Sequence, residues 1–190
     1  MSILDISKEL MFNFHYEFIK PMYEKNVKLL YTDTDSLIYS IQTKDIYSDM
    51  KNHINYFDTS DYPNNNIFHI PRINKKVLGK MKDECCGKIM TEFIGLRSKM
   101  YAYKVQDETV VKKLKGVKKN CIENKISFDD YYNCLFERKN VLVSMNLIRF
   151  KKHEVYSISQ NKLALSYKDE KRYVLDDKIN TLAFGHFEIN

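Results

Sequence analysis

The chain has 190 residues, 44% hydrophobic and 13% aromatic, enough to bury the core of one or two small domains. Five glycines and three prolines exclude collagen-like or low-complexity character, and no run of about 18 apolar residues exists that could cross a membrane. The net charge of +6 is compatible with a polyanionic partner without demanding one.

In chain order, the first predicted element is an amphipathic helix over residues 5–20. Its apolar positions Leu10, Met11, Phe14 and Phe18 recur at three- and four-residue steps, and Pro21 marks its expected end. Two short β-rich runs follow, 27–31 and 37–41, which predict a hairpin with residues 32–36 at its tip. A second helix is expected over 45–57, with Ile46, Met50, Ile54 and Phe57 on one face, and then a loop over 58–66. Strands are expected at 77–81, 89–94 (helix being the alternative) and 100–105, with a turn at Asp107-Glu108 leading into 109–117. Ser127 opens a short helix with Asp130 three residues on, close to a capping box. Hairpin strands are expected at 141–150, 154–158 and 173–175. The fold class expected is α+β, with a domain boundary near residue 105, where a basic cluster begins: 1–105 and 106–190.

Cys85, Cys86, Cys121 and Cys134 fit no zinc-site spacing, and the histidines show no metal-ligand pairing. The N-terminus alternates charged and apolar residues, unlike a signal peptide, so reduced thiols in an intracellular protein are expected.

The most informative residues are Tyr31-Thr32-Asp33-Thr34-Asp35-Ser36. In extended backbone, Asp33 and Asp35 would share a face with Thr34 turned away. Two like charges so close repel, and a divalent cation relieves the repulsion. Magnesium takes a few carboxylates together with water and substrate phosphates. An isolated Asp-x-Asp is more often a solvated turn, so the pair alone does not decide between these readings.

The whole hexapeptide does more, because it resembles the palm motif C of family B DNA polymerases. Reverse transcriptases carry adjacent aspartates instead, and Thr34 separates these two. The resemblance implies catalytic and metal-binding roles for Asp35, the principal ligand, and Asp33, its support, with Tyr31, Thr34 and Ser36 shaping the turn. It also implies two Mg²⁺ ions, a primer–template DNA partner and a dNTP substrate. Downstream, residues 95–101 (Gly-Leu-Arg-Ser-Lys-Met-Tyr) resemble the family's Lys-x-Tyr motif, which contacts the primer strand. Lys99 and Tyr101 are then expected on one strand face, with Arg97 before them. A second Lys-x-Tyr match, Lys171-Arg172-Tyr173, lacks that context. Lys112, Lys113, Lys115, Lys118 and Lys119 would begin a thumb and contact phosphates without regard to sequence; a solvated basic loop is the plainer alternative.

The resemblance is nearest to the protein-primed polymerases of Polinton/Maverick-type mobile elements. It rests on the helix before motif C, on 76–84, 115–119 and 153–156, on Lys171-Arg172, and on 182–186 (Leu-Ala-Phe-Gly-His). It implies a eukaryotic source, a nuclear location, a terminal priming protein as partner, and a partial palm over 1–105 followed by a thumb rich in β-hairpins. Two family motifs are not found in these 190 residues: Asp-x-x-Ser-Leu-Tyr-Pro, with the other metal-binding aspartate, and Lys-x-x-x-Asn-Ser-x-Tyr-Gly, which binds the nucleotide. The chain is therefore expected to correspond to a C-terminal fragment that requires the N-terminal polymerase part for activity. Its motif C hairpin is expected to leave an open strand edge. A DNA-binding module without catalysis is the alternative.

Overall fold

The computed structural model describes residues 2–168 and 172–189. The fold is α+β, 28% helix and 34% strand, built from small sheets. It divides into two compact units, Met1–Ile89 and Met90–Asn190. The boundary expected near residue 105 falls instead inside one sheet of the second unit, between two of its paired strands. The basic cluster that suggested it continues a strand and does not interrupt the fold.

In the first unit, α1 (Ser2–Asn13) runs into a π-helical turn (Phe14–Ile19) and then α2 (Lys20–Tyr23). Pro21 therefore does not end the helix. Proline lacks the N–H of an α-turn and its ring crowds the carbonyl four residues back. The widened π turn, where Lys20 N–H bonds to His15 C=O five residues back, precedes it directly. Glu24, at φ 47°, ends the rod. Strands β1 (Val27–Thr32) and β2 (Leu37–Ile41) form an antiparallel hairpin that pairs with no other described strand. Leu29 and Leu30 on it are exposed, in keeping with an open edge.

The second predicted helix is shorter than expected: α3 covers Ile46–Asn52, a 3₁₀ turn covers Ile54–Tyr56, and Phe57 already belongs to β3 (Phe57–Asp58). The Asp45 side chain caps α3, accepting from Tyr47 and Ser48 N–H at 3.0 and 3.2 Å. Strand 77–81 shrinks to β4 (Met81–Lys82), parallel to β3. Two successive turns, with Lys76 at φ 57° and Gly79 at φ 80°, occupy the residues before it. Side-chain bonds to backbone hold this long irregular stretch in place of ladders. Thr59, fully buried, donates to Pro71 C=O at 2.6 Å, and Asn66 bridges Pro63 and Ile70. Phe18, Ile19, Tyr23, Tyr47, Met50 and Phe57 are central to the unit's core.

The second unit is a three-stranded antiparallel sheet, β5 (Met90–Arg97), β6 (Met100–Val105) and β7 (Val110–Leu114), in that order. Residues 90–97 are thus strand, not helix. One face, with Ile94, Met100, Ala102 and Leu114, is buried in a core shared with α4 (Lys119–Lys125) and α5 (Phe128–Phe136). That core also takes Val143 and Leu165 from a long hairpin, β8 (Val141–Lys151) and β9 (Glu154–Leu165). A small hairpin, β10 (Arg172–Val174) with β11 (Thr181–Ala183), completes the unit.

The capping box of α5 is present. Ser127 Oγ accepts from Asp130 N–H at 3.1 Å, and the Asp130 carboxylate accepts from Ser127 N–H at 2.7 Å. Ser127→Ala is expected to lower stability by about 1 kcal/mol, measured by urea denaturation.

Candidate functional site

The Asp33–Ser36 tip is a turn, so the extended-strand rule for Asp33 and Asp35 does not apply there. Thr32 pairs with Leu37, and Asp33 N–H donates to Ser36 C=O at 3.0 Å, closing the loop. The two aspartates have different tasks. Asp33 is half-buried, and its Oδ1 accepts from Thr34 N–H at 2.9 Å and from the Thr34 hydroxyl at 3.2 Å. Its carboxylate is part of what sets the turn. Asp35 is exposed, and its carboxylate accepts no hydrogen bond from any described residue.

Two features hold this tip against the first helix. Ser7 Oγ donates to Thr34 C=O at 3.0 Å. His15, in the π turn, stacks on Tyr39 of β2 at 5.7 Å and 14° and is hydrogen-bonded to its hydroxyl at 3.1 Å. Burial and the nearby Lys20 charge hold the His15 imidazole below its ordinary pKa, and burial raises that of Tyr39. A β-bulge between Leu29 and Tyr31 shifts the ladder just before the tip, which changes the face that Tyr31 presents. Carboxylate oxygens are donors that magnesium accepts, with water and phosphates filling the remaining positions. Among the described residues, no group of three or more His, Cys, Asp or Glu is placed to hold a metal.

A second set of residues gathers at one end of the three-stranded sheet. Met100 pairs with Arg97 on one side and with Leu114 on the other. Ser98 and Lys99 form the connecting turn, with Lys99 at φ 60°, and Lys115 N–H donates to Lys99 C=O at 3.0 Å. Lys99 and Tyr101 therefore do not share a strand face: the left-handed turn ends the alternation before Tyr101. Tyr101 lies one register inward, between Gly95 and Lys113. Its ring stacks with Tyr103 at 6.4 Å and meets Phe93 at 5.9 Å. This face, away from the core, thus combines aromatic rings and the Lys113 ammonium, with Lys99 and Lys115 at its end. Arg97, shifted in register, pairs with core-facing Met100, and its charge bears on buried Cys134 of α5.

The rest of the basic cluster is divided. Lys112 faces the core side, and its ammonium donates to Glu123 C=O at 3.2 Å and Ile126 C=O at 2.5 Å, at the end of α4. That bond serves the fold. Lys118 precedes α4, and Lys119 pairs with Glu123 at 3.7 Å on the surface. Gly116, directly after Lys115, needs its φ of 84°, and its carbonyl accepts from Lys162 at 2.6 Å. Of the competing Lys-x-Tyr match, Lys171 lies outside the described residues, while Arg172 and Tyr173 sit on β10.

Sequence reasoning missed Phe93 and Tyr103 as part of the face around Tyr101. The alternation Tyr101-x-Tyr103 was the available signal. It also missed Ser7 and His15, whose roles depend on contacts distant in sequence. No helix of the described residues is long and apolar enough to cross a membrane. Comparison with protein-family models, with curated proteins and with solved structures finds no match to this chain.

Proposed function

We propose that this chain carries the motif C side of a family B, protein-primed DNA-directed DNA polymerase. One observation supports this above others: within the Tyr-x-Asp-Thr-Asp-Ser tip, Asp33 is engaged in holding the turn while Asp35 is left exposed and unengaged. That division suits a support and a metal ligand. The reaction is template-directed nucleotidyl transfer, in which a primer 3′-hydroxyl oxygen bonds to the α-phosphorus of a dNTP and the bond to pyrophosphate breaks. Magnesium, when bound, activates that hydroxyl and stabilises the leaving group.

The residues of this chain would act as follows. Asp35 holds the ion, and Asp33 with Thr34 and Ser36 fixes the loop. The partial palm then lies in the first unit and at the start of the second. Lys99, Tyr101, Lys113 and Lys115 grip the primer strand, and the hairpins after them form the thumb. Two carboxylates do not by themselves fix two ions, and the 190 residues contain neither the second metal-binding motif nor the nucleotide-binding motif. The chain by itself is therefore proposed not to extend a primer, and to need a polypeptide that supplies both. Primer extension by the purified chain with Mg²⁺, lost on Asp35→Ala, would overturn that part. A terminal priming protein and a nuclear location belong to the same reading.

The lysines supply a test that separates grip from fold. Each phosphate contact on duplex DNA contributes about 0.9 to the slope of log affinity against log salt. Lys113→Ala and Lys115→Ala are each expected to reduce the slope for primer–template DNA by about that amount, read by fluorescence anisotropy across a salt series. Lys112→Ala is expected to lower stability and leave the slope unchanged. Binding that is salt-dependent, metal-independent and indifferent to Asp35→Ala would favour a DNA-binding module without catalysis.

A further inference from the structure

The long β8–β9 hairpin has two faces of different character. One continues from Val143 and Met145 in the core to Arg149, Lys151 and Tyr156 near the tip. The other is exposed along its whole length and bears no charge, in a chain of which 29% is charged. Its cross-strand pairs follow a pattern. At the base, Leu142 (69% exposed) stands opposite Leu163 (46%). At the tip, Phe150 (67%) stands opposite Val155 (70%), with Ile148 (76%) beside them. Between the two lies a neutral polar stretch centred on the Asn146–Ser159 pair, where Ser144 and Ser159 hydroxyls approach to 3.4 Å.

We propose that this face is a self-association surface, and that its occupant is the same face of a second copy of this chain. The pattern apolar, polar, apolar is close to symmetric about Asn146–Ser159. A two-fold axis through that pair, parallel to the ladder bonds, sets two ribbons face to face and antiparallel. Leu142 then meets Phe150 of the second copy, Leu163 meets Val155, and Asn146 meets Asn146, whose amide can both donate and accept. A nucleic acid does not suit the face, because phosphate contacts dominate such binding and the face offers no cation. The pairs span roughly 27 Å at about 6.8 Å per pair, on a ribbon two strands wide. That is a few hundred Å² per partner, below the ~800 Å² of a standard interface, so the dimer is weak and concentration-dependent. The proposal is independent of the catalytic reading.

Sedimentation velocity of the full chain over about 1–200 μM is expected to show a monomer–dimer equilibrium, a range suited to so small an interface. Asn146→Lys and Asn146→Glu each put like charges on the axis, at an exposed position that the fold does not use. Each alone is expected to weaken association at least ~10-fold, and an equimolar mixture of the two to restore it. A monomer at all concentrations, association indifferent to Asn146→Lys, or no recovery in the mixture would overturn the proposal. So would Asn146→Glu weakening primer–template binding with no effect on association.

Discussion

Asp35→Ala is expected to weaken Mn²⁺ binding to the chain in its complex with primer–template DNA by at least about a hundredfold, with no change in melting temperature. Partners that only orient a metal ligand cost about 10–100-fold in metal affinity when removed, and a direct ligand costs at least that. The stability half of the prediction follows from geometry: Asp35 is exposed and its carboxylate bonds to no described residue. Asp33 should behave differently. Its Oδ1 holds both the amide and the hydroxyl of Thr34, so Asp33→Ala is expected to lower stability by about 1 kcal/mol as well as weaken the metal. Electron paramagnetic resonance of Mn²⁺ gives the affinities, and thermal melts give the stabilities. Equal metal affinity in wild type and Asp35→Ala would remove Asp35 from the site.

Tyr131→Ala is expected to have the largest effect on stability. Tyr131 is completely buried in the core of the second unit, and its hydroxyl donates to Lys113 C=O at 3.0 Å. Truncating a large buried aromatic side chain costs about 3–5 kcal/mol. In a unit of this size, about 1 kcal/mol moves the melting temperature by roughly 4–8 °C, so a fall of well over 10 °C is expected. Tyr131→Phe keeps the ring and loses only the hydrogen bond, at about 1 kcal/mol. The position matters for the proposed grip on DNA because α5 backs the sheet whose other face carries Tyr101 and Lys113. Salt-dependent DNA binding should therefore fall in Tyr131→Ala as the unit melts, and should survive in Tyr131→Phe. A melting temperature unchanged by the alanine substitution would contradict the assigned core.

Local signals in the sequence were reliable where the chain makes its own structure. The β1–β2 hairpin was legible because strong strand formers flank a polar tip, and α5 because Ser127 and Asp130 form its cap. Signals failed where distant contacts decide. Pro21 reads as a helix end, yet the π turn before it lets the helix pass. Ser98-Lys99 contains no glycine or asparagine, so nothing marked Lys99 as a left-handed turn residue, and the Lys-x-Tyr face was misassigned. The lysines of 112–119 read as one basic patch. Strand alternation and the start of α4 in fact send Lys112 to carbonyls of the fold and others to solvent. The domain boundary was misjudged for the same reason: charge changes near residue 105, but the β6–β7 pairing crosses it.

The central claim is that the Asp33–Ser36 turn binds a catalytic metal at the growing end of a primer. Ferrous iron can stand in for magnesium and, with ascorbate and peroxide, cuts DNA next to where it is bound. With the chain on primer–template DNA, scission is expected at the last few nucleotides of the primer, competed by excess Mg²⁺ and lost in Asp35→Ala. Scission scattered along the duplex, or unchanged in Asp35→Ala, would contradict the claim.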